Sequence, residues 1–170
     1  AKAQYAIALA GLNTGLTDPA VATAAMAAAD RALALKPDWD RAVLLKAELL
    51  GKSSASRAIA FIEAALAKAP QSRALKIALA QHLVEQKRFA EARALLREAS
   101  RISAATGDWR LEVIDRGNLL DTLWLIGPIE EAACEAAKLI DELRTKPGGD
   151  SDMSTAFTNA MGILSEMGRI

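Results

Sequence analysis

The sequence predicts an all-α fold, an α-solenoid of stacked antiparallel helix hairpins, on three observations. Ala47, Leu50, Ala58, Ile62, Ala65 and Pro70 are followed 33 or 34 residues later by Ala80, Leu83, Ala92, Leu96, Ala99 and Ala104. A period in that range marks helical hairpins that each bury too little apolar surface alone and therefore stack. Apolar residues fall at helical spacing between Gly, Pro and Ser breakers, and no segment needs a strand. A content of 52% apolar against 25% charged residues provides enough apolar surface for a folded chain of 170 residues.

Nine helices follow in order. The first runs from about Lys2 to Asn13, and the Gly15, Asp18 and Pro19 cluster separates it from a second that reaches Lys36. Pro37 closes this hairpin. The third spans Asp38 to Leu50, where Gly51 offers a left-handed helix end, and Ser53 or Ser54 caps the fourth, which ends at Pro70. The fifth and sixth, Ser72 to Glu85 and Arg88 to Ser103, are joined by a tight turn at Gln86 and Lys87, with Leu75, Leu79, Leu83, Phe89, Leu95 and Leu96 on an apolar face. Asp108 caps the seventh, which turns at Gly127 and Pro128 into the eighth. Pro147, Gly148 and Gly149 end that pair, and a ninth helix extends from about Ser151 to Met167, with Gly168 after it as Gly127 follows the seventh.

Two signals divide the chain near residue 100. Alanine supplies 30 of the first 100 residues and 8 of the last 70, and the period lengthens to 40 or 41, as in Leu79 to Leu119, Asn118 to Asn159 and Leu123 to Leu164. Longer helices account for the change, whether by drift among repeats or by a join between two parents.

Balanced charge, 21 basic and 21 acidic residues, gives no net field for nucleic acid or an anionic membrane surface. No apolar run reaches the roughly 18 residues of a membrane span, and no signal peptide opens the chain, so the expectation is a soluble protein of unknown compartment. The single cysteine, Cys134, excludes an internal disulfide; its alanine neighbours predict a small packing residue on a buried helix face.

The repeat from Asp38 to Ala104 resembles the tetratricopeptide repeat family. Ala47 and Ala80 stand at its small first-helix position, Ala58 and Ala92 where the second helix comes closest, Ala65 and Ala99 one turn further on, and Leu50, Leu83, Ile62 and Leu96 at the larger apolar positions. Small residues let helix axes approach while larger ones fill the gaps. Residues 107–170 resemble the longer-armed form of the repeat through Leu119, Leu123, Gly127, Ala132 and Ala136; residues 1–37 fit more loosely, chiefly through Ala25, Ala29, Ala32 and Pro37. The resemblance implies a right-handed solenoid over residues 1–170: a degenerate repeat at 1–37, repeats at 38–70 and 71–104, a longer one at 105–147, and an unpaired or capping helix at 148–170.

No catalytic, cofactor or metal constellation stands out. His82 is a partly exposed helical histidine with Glu85 as the nearby carboxylate. Glu130 with Glu131 and Asp141 with Glu142 are neighbours in sequence whose side chains point roughly 100° apart on a helix. The Gly148, Gly149, Asp150, Ser151, Asp152 stretch lacks both the terminal glutamate of a calcium loop and the lysine of a phosphate loop. Trp39 and Trp109 fall in first helical turns and act as staples, whereas Trp124 is either a groove anchor or a core residue.

In the resembling family the first helix of each hairpin lines a concave surface. By register that surface shows Arg41, Leu44, Glu48 and Lys52, then Ala74, Ile77, Gln81, Val84 and Glu85. Beyond them come Ile114, Gly117, Asp121 and Trp124, and last Thr155, Thr158, Gly162 and Ser165. It is a mixed groove with an apolar middle. Leu44, Ile77 and Gln81 occupy faces where relatives that clamp a carboxyl tail carry basic side chains, so an apolar helix or extended segment suits it better.

The reading is therefore a non-enzymatic scaffold that binds a protein or peptide partner, without cofactor, nucleic acid or membrane insertion. Two alternatives stand beside it. One is an engineered or recombined repeat protein joined near Leu95 to Ala104 with no evolved ligand, suggested by the alanine step, the period change and the missing first methionine. The other is a regulatory segment of a larger protein, whose unpaired ninth helix would expose Phe157, Met161 and Leu164 and could form a homodimer.

Overall fold

The computed structural model describes residues 1–14, 18–145, 154–166 and 168, with the side chains of 126 and 154–157 excepted. Among the described residues it is entirely helical: α1 Lys2–Asn13, α2 Pro19–Leu35, α3 Asp40–Ser53, α4 Ala55–Lys68, α5 Arg73–Glu85, α6 Phe89–Thr106, α7 Trp109–Ile126, α8 Ile129–Leu143 and α9 Ser154–Glu166. Gly15, the Pro147–Asp152 stretch and Met167 lie outside the described residues.

Short polar side chains start several helices by accepting from the otherwise unpaired amides of the first turn. Asp18 accepts from Ala20 N at 2.8 Å, with Pro19 supplying a helical φ at the first position. Ser54, rather than Ser53, caps α4 by accepting from Arg57 N, and Ser53 donates its hydroxyl back to the Leu50 carbonyl. Ser72 caps α5, and Asp108 accepts from both Arg110 N and Leu111 N at the start of α7.

Two expected helix ends differ. Gly51 lies inside α3, which continues to Ser53 because Ser54, extended at φ −164°, both ends α3 and begins α4. Gly127 is extended at φ −96° and ψ −179°, whereas Gly168 has φ +63°, so the two glycines end their helices by different conformations. The left-handed cap sequence reasoning gave to Gly51 is found instead at Gly107, φ +73°, after α6. Lys87, the one described non-glycine residue with positive φ, makes the turn after Gln86 at φ 59°.

The chain divides into two compact units, Ala1–Gln86 and Lys87–Ile170. In the first, consecutive helices pack on one another, and α3 also packs on α1 and α5. This pattern of neighbours and next-neighbours is that of stacked hairpins. Its core is largely alanine: Ala8, Ala25, Ala28 and Ala29 meet Leu45 and Leu49, with Tyr5, Leu9, Leu12 and Met26 packed around them. Trp39 staples this end, its ring centroid 4.8 Å from that of Tyr5. Ala47, Ala58, Ala80, Ile62 and Leu83 are buried as the repeat requires.

In the second unit α7 packs on α6, α8 and α9, and α8 packs on α9. Leu119, Leu120, Leu123, Ala132, Ala136 and Leu139 are buried between them. The ninth helix is thus packed, not unpaired: Ala160, Ile163 and Leu164 are buried, so the apolar face expected to stand open is covered at Leu164, while the Phe157 side chain lies outside the described residues. Cys134 also corrects expectation, being exposed on α8. The helix turns its buried stripe through Ala132, Ala133 and Ala136, which leaves position 134 on the opposite side.

Candidate functional site

In the first unit α3 and α5 are both first helices of their hairpins, and their parallel faces bound a groove of about 630 Å³. The 33-residue period places Leu44 opposite Ile77 and Glu48 opposite Gln81, because equivalent residues share a face. Of the residues expected on this face, Leu44, Glu48, Lys52, Ile77, Gln81 and Glu85 line the groove. Arg41, exposed, and Val84, half-buried, are not part of its lining. Ala47, Ala74 and Ala78 form the floor beside Leu44 and Ile77, so the middle is apolar and shallow-walled.

Sequence reasoning did not assign Gly51, Arg73 and His82 to the groove, which they also line. A Cβ at Gly51 would lie 2.7 Å from His82 Cε1, so with any larger residue there the imidazole would have to shift. The glycine lets the imidazole lie against α3, while His82 Nδ1 stands 3.2 Å from Glu85 Oε2 on its own helix. The signal available in sequence was a mid-helix glycine whose register equivalent, Val84, stands two residues from the bulky His82 on the next first helix. Glu48 and Glu85 balance Lys52 and Arg73, so the groove offers no cationic excess for a lone carboxylate.

The second unit presents a separate stripe on α7. Ile114, Asp121 and Trp124 follow helical spacing on one side, and Ile114 and Trp124 are exposed at 48% and 42%. Trp124 is thus a surface residue and not a core one. Its indole Nε1 donates to Glu166 Oε2 on α9 at 3.1 Å, and Asn159 of α9 donates its side-chain amide to Asp121 Oδ1. Burial pushes the Asp121 carboxyl above the ordinary aspartate range, only partly opposed by that hydrogen bond. Thr158 is exposed on α9 near these contacts in sequence, Gly117 is buried in α7, and Thr155 belongs to the side chains outside the described residues.

Behind the stripe, Arg116 is buried beside Glu112, Glu135 and Glu142, and Ser103 donates to the fully buried Asp115 carboxylate. These contacts tie α6, α7 and α8 together. Among the described residues no group of His, Cys, Asp and Glu is placed to hold a metal ion, and no helix is long and apolar enough to cross a membrane.

A family model described as tetratricopeptide repeat matches residues 49–110, from the last turn of α3 to the start of α7. No curated protein matches the chain. Tetratricopeptide repeats generally mediate protein–protein interaction, and the buried small residues Ala58, Ala80, Ala92 and Ala99 in the matched segment are those on which the repeat depends. The match supports a likeness of residues 49–110 to the tetratricopeptide repeat family.

Proposed function

We propose that the chain is a non-enzymatic protein-interaction module whose α3–α5 groove holds an apolar helical or extended segment of a partner. The observation that carries this reading is the apolar floor of Leu44, Ile77 and three alanines set between charges that sum to zero. Apolar surface supplies affinity to a segment that buries it, and the flanking charges of both signs select the segment's register. On the second unit, as a surface of its own, the hydrogen bond of Trp124 to Glu166 fixes the ring while much of its face stays open to solvent. A large side chain held in one rotamer loses little entropy when covered, which suits it to anchoring a ligand.

The test is selection of peptides on the intact chain from a random-sequence library, followed by titration of the recovered peptide. Ile77→Lys places a charge on the groove floor at a half-buried site and is expected to weaken binding about a hundredfold, a loss typical of an anchor residue. Circular dichroism unchanged from the parent shows that the variant is folded, and unchanged affinity in the folded variant overturns the proposed groove.

A further inference from the structure

The first unit has a second hollow of about 500 Å³ that shares no residue with the groove. Its apolar floor is Leu33 of α2, Val43 of α3, Phe61 of α4 and Leu75 of α5. Val43 and Leu75 are buried, so the floor is deep. Between Phe61 and Lys68 the wall on the α4 side is formed by the small side chains of Ala64 and Ala65, with Ala69 just past the helix end.

The charges at this hollow are unlike those of the groove. Asp30, Asp38 and Asp40 face Lys46 and Lys68, and three carboxylates against two ammonium groups leave one negative charge in excess. Lys46 Nζ is 2.7 Å from Asp30 Oδ1 and 4.7 Å from the centre of the Phe61 ring. The protein's own side chain therefore already places an alkylammonium between a carboxylate and an aromatic face, the arrangement that stabilises such a cation. Asp38 and Asp40 make no ion pair among the described residues, which leaves their charge available beside the apolar floor.

None of this is demanded by the repeat. One period later Gln71, Arg73, Leu79, Leu95 and Ile102 stand at the positions of Asp38, Asp40, Lys46, Phe61 and Lys68. The next repeat of the sequence lacks the acidic pair, the lysines and the phenyl ring, so the repeat pattern does not call for these side chains. We propose that the hollow is a binding site for a small organic ammonium ion, its apolar body on Leu33, Val43 and Leu75 and its charge beside Asp38 and Asp40. The excess charge rejects an anion of the same shape, and a neutral molecule gains the apolar contact without the ionic one.

The test uses the full chain and three probes of one shape: 2-phenylethylammonium, 2-phenylethanol and 3-phenylpropionate. Methyl resonances of Leu33, Val43 and Leu75 are followed during titration. The ammonium probe is expected to give saturable shifts at millimolar concentration, with the alcohol binding about tenfold more weakly and the carboxylate not at all. The double variant Asp38→Asn, Asp40→Asn is expected to weaken the ammonium about tenfold and leave the alcohol unchanged. Ala64→Leu, which fills the hollow from an exposed position on α4, is expected to abolish binding of both with an unchanged circular dichroism spectrum. Equal binding of the three probes, absence of saturable shifts, or full ammonium affinity in the folded double variant each overturns the proposal. The groove is untouched by these variants, so peptide binding at Ile77 stands or falls separately.

Discussion

Gly11 in the first unit and Gly162 in the second both lie within helices, yet their surroundings are opposite. A Cβ on Gly11 would fall 2.5 Å from the Ala25 Cβ across the α1–α2 contact, while one on Gly162 would meet nothing within 4 Å among the described residues. The contrast extends through the two units. The first brings helices together by removing side chains, burying nine alanines between Ala8 and Ala80. Among its described residues the second buries six alanines and four polar side chains, Ser103, Asp115, Arg116 and Thr122, where the first buries one, Lys76. A contact as close as that of Gly11 with Ala25 leaves no room for a methyl group, and a core that holds polar side chains obliges each of them to find a partner.

Large apolar truncations should cost alike on both sides, since a cavity is penalised whichever kind of core surrounds it. Leu83→Ala in the first unit and Leu123→Ala in the second are each expected to lose about 2 to 5 kcal/mol in urea unfolding. A loss under about 1 kcal/mol at either site would show that the helix faces there are not packed as described. Next in size, Gly11→Ala is expected to destabilise by about 1 to 3 kcal/mol, because the Ala25 methyl has no rotamer by which to withdraw and α1 must move away from α2. Gly162→Ala is expected to do the reverse and stabilise by about 1 kcal/mol, the propensity difference of a helical alanine over glycine without a clash to oppose it. The same sign at both glycines would break the comparison.

The smallest effect concerns Asp121 and separates the units by pH. Its carboxyl is raised by burial, so the folded chain holds this proton more tightly than the unfolded one. Stability contributed by the site is therefore present below the ordinary aspartate value and falls as pH rises through the raised one. Urea midpoints measured across the acid range should show this slope in the parent and lose it in Asp121→Asn. A parent and variant with parallel pH profiles would mean that ionising Asp121 carries no cost. In the first unit every described aspartate is exposed, so none shares the burial of Asp121.

The repeat was legible because its signal is local and redundant. Ala47 and Ala80, or Ile62 and Leu96, state the same packing requirement twice, and four helix starts announce themselves through Asp18, Ser54, Ser72 and Asp108. Half of the groove could be placed by register for the same reason. Gly51 and His82 were missed because their relation is one of distance between two helices, and a glycine in a helix looks like a breaker until the ring beside it is seen. Cys134 was misjudged because alanine neighbours occur on both sides of α8, whose buried stripe passes through 132, 133 and 136. Helix α9 reads in the sequence as either unpaired or capping because the hairpin pattern counts pairs, whereas packing counts surfaces: it packs on α7 and α8.

By itself the sequence determined the helical class, the hairpin period, the caps and the small residues that let helices approach, since all of these follow from spacing along one chain. Only the tertiary structure decided which residues close on one another: the imidazole of His82 over Gly51, the indole of Trp124 on Glu166, Arg116 among three carboxylates, and the hollow beside Phe61. Those arrangements depend on where one helix stands against the next. Shifts of an ångström there change which atoms touch, and no pattern of residue types along the chain encodes a distance that fine.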